Sequence, residues 1–213
     1  AADWQQATAG VVPFALAPTG GSILGLLVQA PDTSEQVHQG GAVGYVILGV
    51  GLLALLIALE RFVSLMLMGG KIRRQLKDDT ARDDNPLGRV MKVKDQYPNV
   101  AYDTLELKLS EAILREMPKI TRNLTLIKII SVVAPLLGLL GTVTGMINTF
   151  QAITLFGTGD PKLMAGGISQ ALVTTVLGLV VAIPTVFLYT LLNTRSKGLL
   201  LILQEQSAGI IAE

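Results

Sequence analysis

Two stretches decide the fold of this chain: 129-IISVVAPLLGLLGTVTGMINTFQAITLFGTG-159 and 163-LMAGGISQALVTTVLGLVVAIPTVFLYTLLNT-194. Neither holds an Asp, Glu, Lys or Arg, and each exceeds the about 20 mainly apolar helical residues that cross a bilayer. Only Asp160, Pro161 and Lys162 lie between them, which predicts a helical hairpin. The interiors carry Ser131, Thr142, Thr144, Asn148, Thr149, Gln151, Ser169, Gln170, Thr174 and Thr175, with glycines at helical spacing. Uncharged helices rich in hydroxyls and glycine make poor lipid surfaces but good packed walls. That pattern points to membrane transport.

A third span lies upstream. No charged residue occurs from Gln36 to Leu59, and Val43–Leu59 is nearly all Leu, Ile, Val, Ala and Gly. Glu60 and Arg61 interrupt the run before Phe62–Met68 continues it. Charges at that depth should face protein or the headgroups, and adjacent residues on a helix point in different directions. The expected transmembrane helices are 42–66 (42–68 with the apolar continuation), 130–153 and 165–192.

Composition agrees: 50% of the residues are hydrophobic, 15% are charged and the mean hydropathy is +0.55, too apolar for an ordinary soluble domain. A net charge of +1 conceals a strong asymmetry. No Lys or Arg precedes Arg61, whereas residues 69–122 hold 12 of the 17. The positive-inside rule then puts 69–122 in the cytoplasm, the N-terminus and the 160–162 turn outside, and the C-terminal tail inside, as Arg195 and Lys197 support.

The expected segments are 1–41, external with a short interfacial helix at 19–29; 42–68, the first span; 69–128, cytoplasmic and helical; 129–194, the second and third spans; and 195–213, a cytoplasmic tail. Thr33-Ser34-Glu35-Gln36 has the form of a capping box ahead of the first span, or else is a plain turn. A chain that begins Ala1-Ala2-Asp3 is expected to be either matured by signal cleavage or a piece of a longer protein.

Lys71–Arg82 is expected to continue the first span as a charged helix. Asp84-Asn85-Pro86 breaks it, with Pro86 suited to a new first turn. Tyr97-Pro98-Asn99 ends the next helix. From Ala101 apolar residues recur every three or four positions through Leu105, Leu109, Ile113, Met117, Ile120, Leu124 and Ile127, which predicts one amphipathic helix from about 101 to 154, about 80 Å long. Such a helix needs neighbours for its apolar stripe, most simply copies of itself in a ring.

Chemistry by side-chain catalysis is not expected. There is no Cys, so disulfides and thiolate metal sites are excluded, and the lone His38 has no co-ligand. No nucleophile–base set exists, and no cofactor, metal or nucleic-acid partner is expected. Three spans contain no internal repeat for alternating access.

The remaining signal is the small-residue ladder. Gly138, Gly141 and Gly145 on the second span, and Gly167, Ala171 and Gly178 on the third, allow close helix packing, which is the usual meaning of such ladders. Hydroxyls on both spans admit a pore wall as the other reading.

Val132–Phe150, VVAPLLGLLGTVTGMINTF, resembles the second span of the MotA/TolQ/ExbB proton-channel family. Gly167–Pro184, GISQALVTTVLGLVVAIP, resembles the third, and the Glu60-Arg61 pair matches the family's habit. The run 18-PTGGSILGLLVQAPD-32 with 39-QGGAVGYVILG-49 is similar to TtpC-type subunits, the longer ExbB-like members. The resemblance implies an all-α inner-membrane protein forming a homopentamer around a pore. It also implies an ExbD-like single-span partner in that pore, with proton flow energising a TonB-like protein.

Thr142 and Thr175 fall on the family's pore-facing threonines. Gln170 falls where ExbB and TolQ carry Glu, and an amide cannot titrate. The expected pore-lining set is therefore Thr142, Thr175, Gln170, Thr174, Gly145 and Thr149, with Gly138, Gly141, Gly178 and Pro184 for helix packing. The rivals are a non-conducting TtpC-like scaffold and a TolQ- or MotA-like stator of another machine.

Overall fold

The computed structural model describes residues 37–78, 80–98, 100–157 and 161–212. The expected interfacial helix at 19–29 and the capping box at Thr33–Gln36 lie outside the described residues. From Gly41 on, the helices among the described residues are, in order, α1 Gly41–Gln75, α2 Pro86–Gln96, α3 Tyr102–Thr121, α4 Leu124–Phe156 and α5 Pro161–Ala212. Among the described residues there is no strand.

Three of these helices are long and apolar enough to cross a membrane, with best mean hydropathies of 2.6 in α1, 2.2 in α4 and 2.4 in α5. Their large apolar side chains point outward: Leu52, Leu56, Met66, Leu139 and Phe187 are all more than half exposed. That surface would be intolerable in water and is ordinary in lipid.

The apolar core sits elsewhere, where α1, α2, α3, α5 and the start of α4 meet around Ile72, Leu87, Val90, Leu109, Ile120 and Leu203. Here the helices carry charge and must bury leucines against one another. At 52 residues α5 is about 78 Å long, far more than a hydrocarbon core, so its C-terminal part belongs to this charged lobe. Residues 195–212, expected as a tail, continue α5 without a break.

The loop before α2 is organised by one side chain. The buried Gln75 donates from Nε2 to the carbonyls of Asp78 (2.9 Å) and Thr80 (2.8 Å). Its Oε1 accepts from the Arg82 amide at 3.1 Å and from Asn85 Nδ2 at 3.0 Å. These bonds replace helical ones, so α1 stops at Gln75 instead of running on to Arg82. Asn85 then caps α2, accepting from Gly88 N at 2.7 Å, with Pro86 in the first turn as expected.

The single helix expected over 101–154 is two helices. The chain breaks at Arg122-Asn123, where Asn123 adopts φ +59° in the left-handed region that Asn tolerates. Pro118 is not the cause, since α3 continues past it to Thr121. The carbonyls orphaned by the break are capped from α1: Arg61 Nη2 donates to Lys119 O at 3.1 Å and Ile120 O at 2.6 Å. Ser196 of α5 adds a longer bond to Ile120 O at 3.3 Å. Arg61 is buried while Glu60 is exposed, so the adjacent charges do point apart.

Candidate functional site

The ladders of α4 and α5 mesh with each other inside one chain. Gly141 lies against the Thr174 side chain, and Gly167 against Thr149. A β-carbon on Gly138 would stand 3.0 Å from the Thr174 carbonyl oxygen, and one on Gly178 would stand 2.8 Å from that of Ala134. On Gly145 it would meet the Gly167 carbonyl at 2.7 Å. Numbers rise on one helix as they fall on the other, so the helices are antiparallel and their backbones nearly touch along the seam.

The seam is also satisfied chemically. Thr174 donates to the carbonyls of Gln170 and Ala171 at 3.0 Å each, and Thr149 to Gly145 O at 3.0 Å. Thr142 donates to Leu139 O at 2.6 Å and Thr175 to Ala171 O at 3.2 Å. Each of these hydroxyl protons is spent on its own helix, which leaves the oxygens as acceptors.

Antiparallel helices turn in mirror image, so Thr142, next after Gly141, and Thr175, next after Thr174, turn to the same side of the seam. The contact of Gly141 with Thr174 puts them at one level. Both are half-buried. The opposite side is taken by α1. Leu177 Cδ1 reaches Gly44, Val181 packs on Gly51, and the Gln170 amide sits beside Gly41, whose φ of +57° turns the chain into α1. On α5 these three lie about 120–160° round from Thr175.

The expected pore-lining set is thus divided. Thr174 (0% exposed), Thr149 (3%) and the buried Gly145 occupy the seam, because they are the small or self-bonded groups that let the helices close. Gln170 faces α1. Thr142 and Thr175 alone share the face that α1 leaves open. Among the expected packing residues, Gly138, Gly141 and Gly178 lie in the seam, while Pro184 is exposed on α5.

Three further contacts complete the picture. Arg61 caps α3, Gln75 holds the loop after α1, and in the charged lobe Arg89 forks onto the buried Glu116 with contacts of 2.9 and 2.7 Å. Only the charged interruption at Glu60-Arg61 hinted at the first. No group of acidic, His or Cys side chains among the described residues is arranged to hold a metal.

These features define a multi-pass helical membrane protein whose two close-packed spans are uncharged and hydroxyl-bearing. The chain belongs to the MotA/TolQ/ExbB proton channel family, whose model matches residues 82–205, and this is a family of transport proteins and not of enzymes. It is 32% identical over 191 residues to an ExbB-like biopolymer transport protein of Synechocystis, covering 80% of this chain and 90% of that one. It is also 32% identical over 179 residues to an ExbB homolog of Methanothermobacter thermautotrophicus, covering 76% of this chain and 63% of that one. The biopolymer transport protein ExbB of Helicobacter pylori is 39% identical over 97 residues, covering 46% of this chain and 67% of that one.

Proposed function

We propose that this chain is an ExbB-like stator subunit that houses a single-span, ExbD-like partner and couples proton flow to a TonB-like protein. Copies form a closed ring in the inner membrane, five by the family resemblance, with α1 outermost against lipid and the open face of α4–α5 towards the axis. The charged lobe and the C-terminus lie in the cytoplasm and the N-terminus in the periplasm, in keeping with the 12 basic residues of 69–122.

The observation that carries the proposal is the pairing of Thr142 and Thr175 at one level on the face opposite α1, within spans that hold no Asp, Glu, His, Lys or Arg. A proton crossing a low-dielectric span needs a group that binds and releases it. Gln170 cannot serve, so the carrier is a carboxyl brought by the partner. The threonine oxygens, as acceptors, orient water or receive a hydrogen bond from that carboxyl when protonated.

Liposomes test this. The chain alone should give no pH-driven flux above empty vesicles. Addition of the partner should create flux, and replacing the partner's intramembrane carboxylate by its amide should abolish it. Robust flux from the chain alone would overturn a carrier supplied in trans, and no flux with the partner would make the chain a scaffold.

A further inference from the structure

Near the junction of the membrane spans and the charged lobe, α1 and α5 leave a groove of about 450 Å³ between them, within the range of small-molecule sites. Its floor is built by absent side chains: Gly69 and Gly70 on α1 and Gly198 on α5. Gly70 and Gly198 have no atom within 4 Å of where a β-carbon would stand, so the space is open and not a packing contact.

An arginine lies at each end. The helices run parallel in this region, Gly69 facing Leu199 as Gly51 faces Val181 further up. That register puts Arg195 level with Leu65, and Arg73 about eight residues, or about 12 Å, further into the lobe. Both arginines line the groove and both are exposed. Neither has a hydrogen-bond or ion-pair partner in the described chain. Lys71, Arg82, Arg89, Lys92, Arg115 and Lys119 of the lobe each pair with a carboxylate, while Arg74 and Lys77, whose side chains also lack such a partner among the described residues, do not line the groove. Towards the spans the wall is apolar, with Leu65 and the exposed Met66.

We propose that this groove binds the headgroup of an anionic phospholipid. The phosphodiester lies over the three glycines between Arg73 and Arg195, and an acyl chain runs along Met66. Two unpaired guanidinium groups match a phosphate geometrically as well as electrostatically. An apolar wall leading away from them suits a ligand whose other end is hydrocarbon, which a free phosphate is not. Zwitterionic phosphatidylcholine should be disfavoured, because its ammonium would be brought to the same arginines. The site is independent of the proton pathway proposed above.

Native mass spectrometry of the detergent-extracted protein, given equal phosphatidylglycerol and phosphatidylcholine, reads the site directly. The wild type should retain phosphatidylglycerol in preference by roughly tenfold or more, as two arginines near a membrane surface imply. Arg73→Gln with Arg195→Gln should abolish the preference. Gly198→Leu should do the same with both charges intact, since it fills open space without a clash. Lys197→Gln removes an equal charge beside the groove and should leave the preference unchanged. Loss of the preference in Lys197→Gln, or its survival in Gly198→Leu, would reduce the effect to the general basic belt and overturn the site. Displacement of the lipid by excess inorganic phosphate would overturn the lipid assignment in favour of a free anion.

Discussion

Arg61 of α1 donates to the main-chain oxygen of Ile120 at 2.6 Å, closing the end of α3 from 59 residues away in sequence. The same Nη2 reaches Lys119 O at 3.1 Å. A charge inside an apolar helix is costly, and here it neutralises the negative end of another helix just where the chain breaks. The adjacent Glu60 stays exposed and takes no part.

Arg61→Met should therefore loosen the α3–α4 junction. Hydrogen bonds from a charged donor contribute about 1.5–3 kcal/mol each, and Lys119 O would be left without its donor. The expected result is a lower unfolding temperature in detergent and faster tryptic cleavage after the exposed Arg122. Arg61→Lys, with a single ammonium in place of the fork, should recover part of the loss.

Gly141→Ala should destabilise the chain by about 1–3 kcal/mol, the cost of overpacking, because the new methyl collides with Thr174. Thr174→Gly in the same chain should recover much of this. Gly49→Ala, with no atom within 4 Å, should be neutral or stabilising. Gly145→Leu should fail earlier still, by parting α4 from α5 within the subunit before any ring can form. Thermal unfolding of the four variants in one detergent checks the order.

Replacing Thr142 or Thr175 by Val keeps the shape and removes the oxygen acceptor. Partner-dependent flux should fall about two- to tenfold for each, the equivalent of one ordinary hydrogen bond of about 0.5–1.5 kcal/mol, with assembly unchanged. Ser at either position should retain flux. Thr174→Val should instead act on stability, because that hydroxyl is buried in the seam.

Glu116 makes the lobe acid-sensitive. Burial alone would raise its pKa, but hydrogen bonds from Arg89 and Lys119 and their charges prevail and hold the carboxyl below its usual range. Its stabilising contribution is thus fully present above the unfolded value of about 4.3 and is lost as pH falls through the lower folded value. Glu116→Gln should lower stability at neutral pH by about 3 kcal/mol or less, since Arg89 is partly exposed and its charge is not left dry. It should also flatten the acid limb of an unfolding-temperature profile.

The spans were legible because bilayer crossing is a property of one segment: length and the absence of charge suffice, and both can be counted in α4 and α5. The turn at Asn85-Pro86 was legible for the same reason, since capping and proline act within a few residues. The break at Arg122-Asn123 was not, because the apolar spacing runs through it unchanged, Ile120 to Leu124 to Ile127, and periodicity reports only the face that is buried. What permits the break is a cap from Arg61, which no local pattern contains.

The small-residue ladders were likewise visible as ladders, but spacing does not say which surface a ladder meets. Thr174 and Thr175 are neighbours of the same type, and a rotation of about 100° about the helix axis separates a side chain sealed against Gly141 from one on the open face. Gln170 reads as a polar group in need of a partner, and its amide rests beside Gly41. Composition and spacing were enough to show three uncharged or nearly uncharged helices long and apolar enough to cross a bilayer, two of them paired in a hairpin with small-residue faces. How the two helices of that hairpin are rotated against each other, and so which hydroxyls remain outside, emerged from the folded chain alone, because helix rotation is set by complementary contacts between helices and not by the composition of either one.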